Sequence, residues 1–422
     1  MASRSGELFT TGHDGSIFAY EGRLDADTFD RLLTWASKIG ASDVTLQSNE
    51  PVWAEIGGDW MRVTARRVSH PEVEGVVRGI YGENGPAELL SGNDIDPSHE
   101  VKTPYSHWRL RYRVNITAGR IPGAVGFQLT IRTMPSQPPE IVKLGIEPDI
   151  IANLRPELGL NLVTGPTGSG KSTLLASIIR YLCEREDACE KVLEYSKPIE
   201  YVYDGLTFPN SFVFQSEIGT HLRPRQEDDE GSLWEYGVRN SLRRKPGIIV
   251  IGECRDRATM AACIDAAQTG HLAMSTAHTV GVPETIRRIL RFFEADEQRS
   301  VAIDLLEVLN LVVTQRLIDR VGGGKVGVRE YILFDSKLKA ELIALDPADW
   351  PARLRSLLRK RLVTGRSMAD AARALRIEGT ITANTYEWIA ARTAGDSKVV
   401  RDAMGVSRLM DLAMREDRAA SE

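Results

Sequence analysis

The segment Gly165-Pro166-Thr167-Gly168-Ser169-Gly170-Lys171-Ser172-Thr173 carries the most legible chemistry in the chain. It matches G-x-x-x-x-G-K-[ST]. Glycines let successive backbone N–H groups turn inward around phosphate oxygens. A helix starting at the lysine presents its positive end to the same anion. Lys171 is suited to the β- and γ-phosphates, and the Ser172 hydroxyl to Mg²⁺. The flanks agree: 160–164 reads as a buried strand, and Leu174, Leu175, Ile178 and Ile179 form the apolar stripe of a helix. ATP with Mg²⁺ is the expected ligand.

Hydrolysis also needs a group to orient or deprotonate water, and a carboxylate is the usual choice. Ile248-Ile-Val-Ile251 is a short apolar strand that runs through Gly252 into Glu253. Many phosphate-loop ATPases place an Asp before that Glu. With glycine there, Glu253 alone is expected to serve Mg²⁺, through a metal-bound water. A second strand, 191–195, precedes Pro198-Ile199-Glu200. Glu200 is a candidate base that spacing alone only suggests.

The elements that must position these groups follow from pattern and composition. The chain has 422 residues, 42% hydrophobic and 26% charged, with net charge −5. That is a soluble globular composition with room for two or three domains and no global basic signature for nucleic acid. The four cysteines, at 183, 189, 254 and 263, form no C-x-x-C pair, so a zinc ribbon is not expected and reduced thiols are. No apolar run reaches the ~20 residues of a membrane span, and the start lacks a signal-peptide core. Residues 1–25 read as an N-terminal extension.

A helix opens near Asp27, taken as its N-cap, with Phe29, Leu32, Leu33 and Ala36 on one face. Ser69-His-Pro-Glu72 reads as a capping box. From Trp108 to Thr117 the chain alternates. Trp108, Leu110, Tyr112, Val114 and Ile116 face one way, and Arg109, Arg111, Arg113, Asn115 and Thr117 the other. Phe127 to Arg132 repeats this, with Gln128, Thr130 and Arg132 on the polar face. By pattern alone that face is a solvated surface. The Pro-rich stretch 135–139 marks a linker. The division is therefore an α+β domain over 26–136, an α/β domain over 137–345 with strand and helix alternating, and a helical, Arg- and Ala-rich region over 346–422. Gln226 to Gly231 reads as an acidic surface loop.

Four boxes in order resemble the secretion-type ring ATPases, the family of pilus extension and retraction motors and of type II and type IV secretion ATPases. They are the phosphate loop, an Asp-box-like Ser196-Lys-Pro-Ile-Glu-Tyr201, the strand end Gly252-Glu253-Cys-Arg-Asp256, and a His box, Thr269-Gly-His271-Leu…Ser275-Thr-Ala-His278-Thr. Gly40-Ala-Ser-Asp-Val44 and Arg111-Tyr-Arg113-Val-Asn115 extend the resemblance, which covers most of 27–340. Residues 89–96, 174–180 and 241–246 are similar to the DotB-type branch, which serves type IVB secretion and IncI-type plasmid conjugation.

The resemblance implies a PAS-like α+β N-terminal domain joined to a RecA-like P-loop ATPase domain, assembled as a homo-hexamer. It implies Glu200 as catalytic base and Glu253 as the Mg²⁺-side acid. His271 and His278 would both lie near the γ-phosphate, and Arg111, Arg113 and Arg132 would be offered to nucleotide. A cytoplasmic ring is implied, recruited through partners to an inner-membrane apparatus, with no direct DNA binding. One departure stands out. The family's Asp box reads Glu-Asp-Pro-Ile-Glu, and here Ser196 and Lys197 replace the first two acids. Two other functions share these residues: a RecA-like motor stimulated by nucleic acid, and a nucleotide-gated scaffold with little turnover.

Overall fold

The structure is a computed structural model, which describes residues 17–102, 109–135, 137–222 and 230–394. It divides into two compact units. One holds the chain up to Gln137 together with Glu200–Leu206, and the other holds Pro138–Ile199 and everything from Thr207 onward. The return of 200–206 to the first unit is a long-range pairing that no local pattern announces.

The first unit runs α1 (Ala26–Lys38), β1 (Ala41–Gln47), β2 (Trp53–Ile56), β3 (Asp59–Arg62), α2 (His70–Tyr81), α3 (Gly85–Leu90), β4 (Ser98–Lys102), β5 (Arg109–Ile121) and β6 (Ala124–Met134). Its strands form one antiparallel sheet in the order β3-β2-β1-β6-β5-β4. The period-2 pattern explains it. Tyr112, Val114, Ile116, Phe127, Leu129 and Ile131 bury into one core with Phe29, Leu32 and Leu33 of α1 and Val73, Val76 and Val77 of α2. The N-cap of α1 is Asp25, which accepts from the Thr28 N–H, and not Asp27, which sits in the first turn. The extension is pinned at its end: Leu24 is in the core, and the Phe18 N–H donates to the Val63 carbonyl. Trp108 lies outside the described residues.

Glu72 closes α2's first turn as expected, accepting from the Ser69 N–H at 2.8 Å. It does more. It accepts from the Leu24 N–H at 2.7 Å and pairs with Arg66 at 2.6 Å. Arg66 first, then the Leu24 and Ser69 donors, hold the Glu72 carboxyl far below the usual carboxylate range. A carboxylate held low stabilises fully above its unfolded pKa of about 4.3, and that contribution drains away as pH falls further. Glu72→Gln should therefore cost this unit about 1–3 kcal/mol at pH 7, because buried donors lose their acceptor. The gap to wild type should narrow between pH 7 and pH 3 but not close, because the contribution is lost in full only as pH falls through the depressed folded pKa. Hydrogen exchange of α2 amides at the two pH values measures it.

The second unit contains α4 (Pro148–Ala152), β7 (Gly159–Thr164), α5 (Lys171–Glu184), β8 (Lys191–Ser196), β9 (Phe212–Glu217), α6 (Glu230–Leu242), β10 (Ile248–Ile251), α7 (Arg257–Gln268) and β11 (Leu272–Ala277). It continues through α8 (Val282–Leu290), α9 (Gln298–Val308), β12 (Leu309–Asp319), β13 (Lys325–Leu333), α10 (Ser336–Ile343), α11 (Trp350–Lys360), β14 (Gly365–Arg366), α12 (Met368–Ile377) and α13 (Ala383–Ala394). The sheet order is β14-β13-β12-β7-β11-β10-β8-β9. Six strands from β12 to β9 run parallel, and β13 and β14 are antiparallel additions. Every residue of β7, β10 and β11 is buried, as continuous apolar strands covered on both faces require. This is a RecA-like α/β fold.

The C-terminal helices do not behave as one region. Trp350, Leu354, Leu357 and Leu358 of α11 belong to the main core, whereas Met368, Ala371, Ala372 and Ile389 gather with Val328 in a small cluster of their own. Residues 226–229 of the expected acidic loop lie outside the described residues, and Glu230 opens α6.

Candidate nucleotide site

The phosphate loop joins β7 to α5 at the carboxyl edge of the parallel sheet, where such folds place ligands. Leu174, Leu175, Ile178, Ile179 and Leu182 of α5 are buried, each stabilising by about 1.5–3 kcal/mol, which fixes the helix axis beneath the loop. Gly170 caps that helix in the left-handed region and offers no capping side chain, and no acid occupies the first turn, so the positive end of the helix is not offset there by a carboxylate of its own. Gly165, Gly168 and Gly170 all have positive φ. A Cβ on Gly165 would meet the Gln315 carbonyl oxygen at 2.3 Å and Ser169 Oγ at 2.4 Å, so the loop closes only with glycine there. Ser169 Oγ, packed against Gly165 inside the loop, is buried without a hydrogen-bond partner among the described residues.

Lys171, Glu253 and His278 come together. Lys171 Nζ donates to the Pro166 carbonyl at 3.0 Å and lies 3.3 Å from His278 Nδ1. His278 Nε2 lies 3.3 Å from Glu253 Oε1. Burial first, then the charge of Lys171, pushes the His278 pKa below its ordinary value, against the opposing pull of Glu253. The imidazole is therefore neutral at pH 7. Nδ1 accepts from Lys171 and Nε2–H donates to Glu253.

A depressed histidine means that the unfolded chain binds the proton first. Folding stability from this group is full above about pH 6.5 and declines as pH falls toward the folded pKa. Titrating the His278 ring by NMR should give a midpoint below that of an unperturbed histidine, and Lys171→Met should move it upward.

Glu253 is held through its backbone. The Ser275 hydroxyl donates to the Ile251 carbonyl at 2.6 Å, the Thr276 hydroxyl to the Gly252 carbonyl at 2.7 Å, and the Cys254 N–H to the Thr276 carbonyl at 2.8 Å. The strand end explains the missing aspartate. A Cβ on Gly252 would stand 3.0 Å from Ser196 Oγ and 3.2 Å from Ser196 Cα. Gly252 and Ser196 are thus a matched pair of small residues where β8 and β10 converge.

His271 is separated from this group. Its carbonyl accepts from the Gly159 N–H at the start of β7, whereas His278 follows the other end of β11. The six-residue strand between them, at about 3.3 Å per residue, spans roughly 20 Å. One phosphate cannot touch both, so within the chain the expectation for His271 is corrected. Its ring lies instead 3.2 Å from Thr269 Oγ1.

Glu200 is exposed and opens the 200–206 segment of the first unit, where Arg111 Nη1 donates to its carbonyl at 3.0 Å. Arg111 is only 6% exposed and also approaches Glu100 at 3.5 Å, so it fixes backbone rather than presenting itself to solvent. Arg113 and Arg132 are cross-strand neighbours and exposed. Arg132 pairs with the buried Asp43 at 2.8 Å, and Arg113 reaches Asp96 at 3.6 Å.

Sequence reasoning missed three groups. Gln315 Nε2 donates to the Ser169 and Gly170 carbonyls at 2.8 and 3.1 Å, and Arg329 Nε holds Gln315 Oε1 at 2.8 Å. A signal was available: Thr314-Gln315 is a polar pair inside an otherwise apolar strand, and both residues are buried. Glu194 is buried on β8, accepting from Ser196 Oγ at 2.8 Å and Gln215 Nε2 at 2.9 Å. It keeps a carboxylate on the strand face where the Asp box lost one, two residues away. Glu217, also buried, accepts from Thr220 Oγ1 at 3.0 Å at the end of β9.

Mg²⁺ fits the donors of this site. No described hydrogen bond engages the Ser172 hydroxyl, and Glu253 follows β10, one strand beyond β11 at the same edge of the sheet. Among the described residues no group of three or more His, Cys, Asp or Glu could hold a metal, so the ion would arrive with phosphate and water ligands, as Mg²⁺ usually does.

Comparison with known proteins shows the family and the fold. Residues 102–329 match the family model described as "Type II/IV secretion system protein". The type IV pilus retractation ATPase PilT of Pseudomonas aeruginosa is 33% identical over 303 residues, 72% of this chain and 81% of that protein. A twitching motility protein of Neisseria gonorrhoeae is 31% identical over 336 residues, 76% of this chain and 82% of that protein. Among solved structures, the Legionella pneumophila ATPase DotB is 39% identical with a TM-score of 0.79, covering 89% of this chain and 98% of that one. The pilus retraction motor PilT with bound ADP is 28% identical with a TM-score of 0.73, covering 90% of this chain and 98% of that one.

Proposed function

We propose, from the premise that this chain belongs to the family of type II/IV secretion system proteins and is an ATPase of the secretion-type ring superfamily, that it is one subunit of a homo-hexameric motor energising type IVB secretion or conjugative transfer. The observation that carries the finer reading is the likeness to DotB, 39% identical over 89% of the chain.

The residues divide the work. Lys171 and the amides of the loop and α5 hold the phosphates. Ser172 and Glu253 hold Mg²⁺, which when bound neutralises charge on the transferred phosphoryl group. Glu253 orients water, and neutral His278 reports the γ-phosphate, since losing that charge changes what Lys171 contacts. Glu200, its backbone anchored by Arg111, serves as base, and Arg113 and Arg132 present cationic ends to nucleotide. Among the described residues no helix is long and apolar enough to cross a membrane, so partners bring the ring to an inner-membrane apparatus from the cytoplasmic side.

The test is deletion of the gene in its own host and complementation with wild type or Lys171→Ala. Conjugation frequency or effector export should return only with wild type. Normal transfer and export in the deletion strain, with twitching lost instead, would remove the type IVB reading and leave a pilus motor. ATP turnover that rises severalfold with single-stranded DNA would favour a nucleic-acid motor.

A further inference from the structure

Away from the phosphate loop, the second unit encloses a cavity of about 1240 Å³ between β12 and β13, α8, and the C-terminal helices α11, α12 and α13. Its wall carries seven cationic side chains against three carboxylates. Each carboxylate is already engaged. Glu284 pairs with Arg355, and Asp370 with Arg361. Glu330, 6% exposed, spends its oxygens on the Val282 and Met368 N–H groups at 2.8 and 3.2 Å, and burial raises its pKa.

The remaining cations are left over. Arg316 on β12 is half-buried, and among the described residues no oxygen accepts from its guanidinium. Its pKa is lowered by burial first and then by the charge of Arg392, against the opposing pull of Glu330. Arg392 on α13 lies over the Trp388 ring at 4.8 Å, and Arg359 and Lys360 at the end of α11 have no described acidic partner.

A half-buried arginine facing another arginine costs free energy, because each loses hydration and gains repulsion. Arginine forks in a partly desolvated hollow match phosphate oxygens in geometry and charge. The volume exceeds the ~300–1,000 Å³ of ordinary small-molecule sites, which leaves room for an organic group.

We propose that this cavity is a second anion site, which binds a small molecule carrying a pyrophosphate or polyphosphate group between Arg316, Arg392 and the end of α11. Such a ligand would tie the C-terminal helices α11 and α13 to β12. That strand also carries Gln315, which braces the phosphate loop. A bound polyphosphate would then be felt one residue away from the loop's own support.

The probe is inorganic pyrophosphate, titrated calorimetrically without Mg²⁺ into the full chain carrying Lys171→Ala, which weakens the phosphate loop as a competing site. One binding event should remain. Adding Arg316→Gln should weaken it at least tenfold, and adding Arg392→Gln, an exposed position that folding tolerates, severalfold. Raising ionic strength should weaken it in parallel. Absence of binding in the Lys171→Ala chain overturns the proposal, as does binding unchanged by Arg316→Gln and Arg392→Gln alike. Binding to phosphatidylglycerol vesicles but not to soluble pyrophosphate would assign the cations to a lipid surface, and also overturns it.

Discussion

Lys171→Ala should lower ATP turnover by about 10²- to 10³-fold and leave the secondary structure intact, outcomes that steady-state phosphate release and circular dichroism would read. Lys171 is 7% exposed, and its ammonium is held by the Pro166 carbonyl and His278 Nδ1. A buried ammonium at the start of α5, beside the glycines of the loop, is placed to meet an anion. Its charge acts most where negative charge on the transferred phosphoryl group is handled, so its loss removes transition-state stabilisation that water cannot restore. The fold should survive because the apolar contacts of α5, at Leu174, Ile178 and Leu182, begin one turn beyond Lys171 and are untouched by its truncation. Full activity in this variant would end the ATPase assignment to this loop.

If Glu200 is the base proposed above, Glu200→Gln should lower kcat by about 10²- to 10⁴-fold with little change in KM for ATP, as expected when a general base becomes an amide of the same shape. Glu194→Gln is its necessary partner experiment. Glu194 is buried and accepts from Ser196 and Gln215, so the amide should disturb packing at the Asp box and lower kcat only severalfold. The reverse order of effects would move the base to Glu194 and make Glu200 an exposed acid on a connecting segment. Ser196→Glu adds a third comparison. It would crowd Gly252, whose missing side chain accommodates Ser196, so stability should fall even if an acid returns to the box.

Much of the site was readable from spacing because its parts are local. The phosphate loop, the strand before it and the helix after it are contiguous, and their periodicities are those of a buried strand and a half-buried helix. The Glu72 box was equally legible, though only folding revealed that Leu24 and Arg66 share its carboxylate. The α1 cap was placed two residues late, since Asp25 and Asp27 are alike in type and only the backbone decides which lies outside the helix. Gln315 and Arg329 were missed for a different reason. Gln315 braces the loop from β12, some 145 residues downstream of its partner carbonyl in Gly170, and Arg329 of β13 acts only through Gln315, a pairing across distant strands that spacing does not report.

By itself the amino-acid sequence determined the nucleotide chemistry, the parallel α/β core and the family, because each rests on short-range residue patterns. Tertiary structure decided which candidates meet. It joined Lys171, Glu253 and His278 within 3.3 Å contacts, because their strands lie side by side and end at one edge. It put His271 at the opposite edge, because a residue and its neighbour seven positions on span the full length of one buried strand.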